Sequence, residues 1–164
     1  MSFRCTPLLF QTFTTSRLMS FPPKFLFSVV SDIDTYKEFV PFCQDSKVTT
    51  RDEKTNLPTT ADLTIGFRGF SETFDSKVQC NPEKLTVLAD ASHHKLFSYL
   101  KTQWQIHESS NNRSRVELSV AYEFQNPLYR FMSKMAGQAA ATDIITGFVA
   151  QARRKYNNQI GFKV

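Results

Sequence analysis

An α+β domain, with a curved antiparallel sheet wrapped around a long C-terminal helix, is predicted by two patterns. Apolar residues alternate with period two through the middle of the chain, and from Asn126-Pro127 to about Asn157 they recur at helical spacing. The length agrees, because 164 residues at 41% hydrophobic and 21% charged suffice for one domain with a substantial core and leave little for a second.

Each element has its own signal. Phe13 to Phe21 reads as a first strand, and Pro22 and Pro23 stop it. Proline suits the first turn of a helix, where its missing N–H is no loss, so a helix follows with apolar residues at 26, 29, 30 and 33. Asp32 and Asp34 offer capping oxygens to a second short helix, Thr35 to Val40, which Pro41 ends. In Ala61 to Phe67, residues 61, 63, 65 and 67 share an apolar face, as a half-buried strand requires. Gly66 to Gly69 turns the chain into Phe70 to Val78. Further strands are predicted at Leu85 to Ala91, Leu96 to Ile106 and Arg115 to Phe124, with turns at Asn56-Leu-Pro58, Asn81-Pro82, His93-His94 and Ser109 to Asn112. The final helix carries a stripe of Leu128, Phe131, Met135, Ala139, Thr142, Ile145, Val149 and Ala152. The predicted order is one strand, two short helices, six strands (five of them located above) and one long helix. That order is the helix-grip architecture, whose consequence is a cavity between sheet and helix.

Composition narrows the function classes. Sixteen Phe stand against twelve Leu, one Trp and five Tyr, so large flat rings fill the interior or surround a ligand. The five glycines have neither dinucleotide-fingerprint nor P-loop spacing, and Gly66-x-x-Gly69 lies inside a hairpin rather than between helices, which makes it a turn and not an RNA-binding loop. Cys5, Cys43 and Cys80 form neither a disulfide framework nor a CxxC pair and suit a reducing compartment. No apolar run approaches the ~18 residues that span a bilayer.

The net charge of +5 is unevenly spread: residues 1–31 hold three basic and no acidic residues, 32–124 are net −3, and the last forty are net +5. An anionic membrane or plain solubility explains basic ends, whereas nucleic acid is not expected without exposed stacking aromatics among them. The first dozen residues lack acids and have the composition of a short organelle-targeting leader or of a frayed terminus.

Chemistry-bearing residues are sparse. The three histidines do not converge with Cys, Asp or Glu at metal-ligand spacing, and no nucleophile elbow surrounds Ser98, Cys43 or Cys80, so neither a metal nor a catalytic residue is expected. The inward faces of the predicted elements instead nominate an apolar wall. Leu63, Ile65 and Phe67 supply one strand, Leu100 and Trp104 another, Val120 and Tyr122 a third, and Phe131, Met135 and Ala139 the helix. Trp104 stands out because its indole offers a flat surface and one N–H donor, to a ligand or to the core. Gly137 and Gly147 leave room on the helix for close packing or for that ligand.

These residues carry a resemblance. Ser31-Asp-Ile-Asp-Thr-Tyr-Lys-Glu-Phe-Val-Pro-Phe-Cys43, then Ile65-Gly-Phe67, Leu96-Phe-Ser-Tyr-Leu100 before Trp104, and Phe124-Gln-Asn-Pro-Leu-Tyr129 closely resemble the mitochondrial coenzyme Q-binding proteins of the START-type, polyketide-cyclase-like superfamily. The likeness runs from about residue 11 to 157. It divides the chain into a leader or disordered N-terminus (1–10), a START-like domain (11–157) and a tail (158–164). Two departures are a Phe42 where many relatives have Trp, and a leader shorter than usual.

The resemblance implies ubiquinone as bound ligand, no catalytic cofactor, a matrix-side position on the mitochondrial inner membrane, and a carrier role in respiratory electron transport and ubiquinone biosynthesis. A quinone head is neutral and offers acceptor oxygens, so Trp104, Tyr99 or Tyr122 are the expected donors in an otherwise apolar site. Phe39, Val40, Pro41 and Phe42 are expected at the pocket mouth. Arg153, Arg154 and Lys155 would dock that mouth on anionic phospholipid. Respiratory-chain complexes, quinone-synthesis proteins and a second copy of the chain are the further partners implied. The rival readings are a cyclase or dehydratase-type enzyme, which needs an inward charged group, and a ribosome-associated factor, which needs a basic strip across the sheet.

Overall fold

The computed structural model describes residues 11–161 except 68, 93, 96 and 126, and the side chains of 67, 70 and 127–136 also lie outside the description. Seven strands form one antiparallel sheet: β1 (Gln11–Met19), β2 (Cys43–Arg51), β3 (Pro58–Phe67), β4 (Phe70–Asn81), β5 (Thr86–Asp90), β6 (Phe97–Ser109) and β7 (Arg113–Phe124). Their spatial order is β1-β7-β6-β5-β4-β3-β2. Strands two to seven are thus a meander, and β1 closes onto the far side of β7, with Phe13 opposite Val120. Between β1 and β2 come α1 (Pro23–Ser31) and a short 3₁₀ helix (Ile33–Glu38), and α2 (Pro127–Gly161) ends the fold.

The helix-grip architecture expected from periodicity is therefore present, with differences at several places. The strand left unlocated is β2, whose sequence CQDSKVTTR is mostly polar because it is a sheet edge exposed along most of its length. Pro22 precedes α1 in extended conformation and Pro23 occupies its first turn. Asp32 and Asp34, expected as caps, make no side-chain cap to the 3₁₀ helix. Asp34 instead accepts from the Val48 backbone N–H at 2.7 Å and from Arg51 at 2.9 Å. The Ser46 hydroxyl adds two further ties, donating to Asp34 O and accepting from Lys37 N–H, both at 3.0 Å. The 3₁₀ segment is thereby stitched to β2. α2 continues four residues past Asn157, to Gly161.

The core lies where α1 and the C-terminal half of α2 meet β5 to β7. Leu26 and Val30 of α1, Val116 and Leu118 of β7, and Ile145, Phe148 and Ala152 of α2 are wholly enclosed. Ala141, Ile145, Phe148 and Ala152 form the inward stripe of α2, so the predicted stripe is rotated slightly and omits Phe148. Both helix glycines serve close approach. A Cβ at Gly137 would collide with the Phe13 ring, and one at Gly147 with the Phe39 carbonyl. Close packing, one of the two readings that the sequence left open, accounts for both.

Candidate ligand-binding site

The other half of the sheet does not touch α2 so closely, and a cavity of about 620 Å³ remains between β3–β7, the 3₁₀ segment and α2. Its floor exists because register aligns small residues. Ala61 pairs with Ser76, Val78 with Ala89, Ala89 with Thr102 and Thr102 with Val120. At one end the wall is aromatic, with Phe74 edge-on to His94 and tilted to Phe97, and Phe97 stacked on Phe124 at 4.6 Å. At the other end Trp104 and Tyr36 line it, and Trp104 lies tilted on Phe148 at 4.9 Å. Ala140 and Ile144 of α2 form the roof, and Val40, Pro41 and Phe42 stand beside the chamber.

Leu63, Ile65, Leu100, Trp104 and Val120, expected from strand alternation, all line this cavity. The remaining expectations divide. Tyr122 does not line it, since its ring is stacked on Phe13 at 5.9 Å. Ala139 is exposed, because inward-facing 141 and 145 set a phase that puts Ala140 and Ile144 toward the chamber instead. Phe39 belongs to the core side, edge-on to Tyr36 at 5.2 Å and to Phe148 at 6.2 Å. Tyr99 falls one residue from Leu100 and so on the opposite sheet face, with Lys101 over its ring. The side chains of Phe67, Phe131 and Met135 lie outside the described residues.

Several lining residues escaped the sequence reading. Phe74, Ser76 and Val78 on β4 and Val87, Ala89 and Ala91 at β5 alternate plainly, but alternation alone did not say which face was inward. Phe97 was hidden by a register shift between Phe97 and Tyr99, which puts Phe97 and Leu100 on one side despite their odd spacing.

Electrostatically the chamber is quiet. Burial pushes the Tyr36 phenol far above its ordinary range, with the neighbouring Trp104 indole opposing the shift. The Tyr36 hydroxyl donates to Val30 O at 2.5 Å. Burial raises the Cys43 thiol, with Asp45 adding to it, and the Cys80 thiol, each to about 11. Among the described residues no group of His, Cys, Asp and Glu could hold a metal ion.

The basic end of α2 is not simply free. Arg153 is exposed, but Arg154 pairs with Glu38, and Lys155 reaches Asp32 at 2.5 Å and Thr35 at 3.3 Å. Two of the three charges expected to dock on lipid thus clasp α2 to the loop and 3₁₀ helix. Phe42 is more conspicuous, 54% exposed and held at φ 62°. A bulky side chain rarely adopts that left-handed conformation.

A curved sheet gripping a helix around an apolar chamber defines a START-like domain of lipid-binding type, and residues 19–149 match the polyketide cyclase / dehydrase and lipid transport family. Within that class the chain belongs to the coenzyme Q-binding protein family. It is 56% identical over 156 residues to the mitochondrial coenzyme Q-binding protein coq10 of Schizosaccharomyces pombe, spanning 95% of each chain. It is 32% identical over 143 residues to the mitochondrial coenzyme Q-binding protein COQ10 of Eremothecium gossypii, spanning 84% of this chain and 70% of that one. Among solved structures, the Zhui aromatase/cyclase from Streptomyces sp. R1128 superposes with a TM-score of 0.77 over 90% of this chain and 96% of that chain, at 10% identity, a likeness of fold alone. These family relatives are named mitochondrial, and among the described residues no helix is long and apolar enough to cross a membrane.

Proposed function

We propose that this protein binds ubiquinone in the sheet–helix cavity and carries it as a lipid chaperone, supporting respiratory electron transport and ubiquinone biosynthesis without catalysing a reaction. The observation that carries this reading is the chamber itself. Its volume of about 620 Å³ and its wall of aliphatic and aromatic side chains suit a neutral ring with part of a polyprenyl tail. The names of the family relatives select the quinone from among such ligands. Each isoprene unit withdrawn from water is worth ~4 kcal/mol, at ~0.8 kcal/mol per carbon. Free quinone therefore stays in the bilayer, and a carrier competes with lipid. The chamber holds the head and a few units, and the remaining tail lies in the membrane, along the surface or against a second copy of the chain.

In this reading the protein works peripherally at the matrix face of the mitochondrial inner membrane. Exposed Phe42 beside Val40 and Pro41 enters the lipid interface, and Arg153 assists on anionic phospholipid. An enzyme of the cyclase type would place a charged acid or base in the chamber, whereas the described lining is aliphatic, aromatic and hydroxylic. The test is organic extraction of protein purified from a quinone-making host, followed by mass spectrometry. Ubiquinone well above a denatured control is expected. None above it, or saturable turnover of a polyketide or ester, overturns the reading.

A further inference from the structure

The Tyr36 hydroxyl is committed to Val30 O, but two other hydroxyls on the cavity wall have no such commitment. Ser76 is only 7% exposed and Thr102 is half-buried, and both line the chamber. Among the described residues neither hydroxyl takes part in a side-chain hydrogen bond, and since no buried side-chain polar atom there is left without a partner, the Ser76 oxygen opens onto the chamber rather than being sealed in the wall. A hydroxyl open to the chamber and not engaged elsewhere in the protein is available to a ligand oxygen, which takes the place of water there.

Register makes the pair specific. β5 runs between β4 and β6, with Val78 opposite Ala89 and Ala89 opposite Thr102. Two residues along the same register from Val78 stands Ser76, beside Ala91. Ser76 and Thr102 therefore flank a slot one strand wide whose base is Ala89 and Ala91, both lining the cavity. With strands ~4.8 Å apart and ~3.4 Å per residue, their Cα atoms lie about 12 Å apart. Each side chain reaches inward and adds a hydrogen bond of about 2.7 Å. The span left between them fits oxygens on opposite edges of one six-membered ring.

We propose that Ser76 and Thr102 form the head-group subsite of this chamber. The ring of a prenylated quinone lies over Ala89 and Ala91, each hydroxyl bonds an oxygen on its own edge, and the tail leaves past Val40, Pro41 and Phe42. A hydroxyl both donates and accepts, so the subsite takes the quinone carbonyls as acceptors and the quinol hydroxyls as donors. The inference rests on the quinone reading above but adds to it a ring orientation and an indifference to redox state.

The test uses the full chain and quenching of its single tryptophan, Trp104, which lines the cavity. Three ligands are titrated: a ubiquinone with two isoprene units, its quinol, and a benzene-headed analogue with the same tail and no ring oxygens. The parent is expected to bind quinone and quinol within about twofold of each other. Ser76→Ala and Thr102→Val, checked for unchanged melting, should each weaken quinone and quinol about fivefold, or ~1 kcal/mol at ~1.4 kcal/mol per tenfold, and leave the analogue unchanged. Unaltered quinone affinity in either variant overturns the two-sided subsite, and so does an equal loss for the analogue. A parent that binds the analogue but prefers neither quinone nor quinol over it also removes the subsite while leaving an apolar carrier. A parent that binds none of the three removes the quinone reading itself.

Discussion

Trp104 and Leu63 face the same chamber yet stand in different surroundings. Trp104 is 2% exposed and lies on Phe148, so the indole is core on one side and cavity wall on the other. Leu63 is only partly buried, at the rim of the core cluster. Trp104→Ala should cost ~3–5 kcal/mol, as large aromatic truncations do, and lose quinone as well. Leu63→Ala should lower bound quinone at a smaller stability cost, because less protein surrounds it. Urea unfolding alongside quinone content in the same preparations separates the two, and equal stability losses would mean that Leu63 is core. The thiols make a second residue-scale prediction. With Cys43 and Cys80 raised to about 11, about one molecule in a thousand is thiolate at pH 8, against about a quarter for a free cysteine near 8.5. Site-resolved alkylation should therefore be slow at both positions in the folded protein and fast in urea.

Among the elements, α2 is fixed at two places that its sequence explains only with the fold in view. At Gly147 the Phe39 backbone comes so close that a methyl group has nowhere to go. Gly147→Ala gains ~1 kcal/mol of helix propensity but meets a carbonyl that cannot turn aside, so a net loss of ~1–2 kcal/mol is expected in thermal unfolding. Further along, Gln151 and Arg154 hold Glu38. The hydrogen bond from Gln151, then that from Arg154, keeps the Glu38 carboxyl below the usual carboxylate range. A depressed carboxyl stabilises the fold above its unfolded pKa and loses that contribution as pH falls. Glu38→Gln should thus be less stable at pH 7 by under ~1 kcal/mol, the scale of an exposed pair, and the gap should close below about pH 4 in urea titrations. Elements with strong periods were legible in sequence: β3, β7, α1 and most of α2. β2 was not, because a polar edge strand has no alternation to read. The phase of α2 was not, because its Ala- and Gly-rich stretch weights several faces alike.

For the whole molecule, the fold was legible and the chamber was legible only as an implication. A cavity arises where small residues from β3, β4, β5 and β6 fall side by side, and that alignment is set by register, which one strand at a time cannot reveal. The charge asymmetry did not reveal that two of the basic residues are ion-paired within the domain, Arg154 with Glu38 at the surface and Lys155 with Asp32. In the reading proposed above, the contact with lipid falls to Phe42. Phe42→Gly suits the φ of 62° and removes the ring, so it should melt near the parent yet float poorly with cardiolipin-containing vesicles. Flotation equal to the parent would return the docking role to Arg153 and its neighbours. The chamber also has a mechanical consequence. Unfolding abolishes a partly open chamber of about 620 Å³ whose apolar walls water fills poorly, so the unfolded chain with its surrounding water occupies less volume than the folded one. Hydrostatic pressure should consequently unfold the quinone-stripped protein well before the quinone-filled one, and the spacing between their midpoints, followed by Trp104 emission, measures how completely the ligand fills the space.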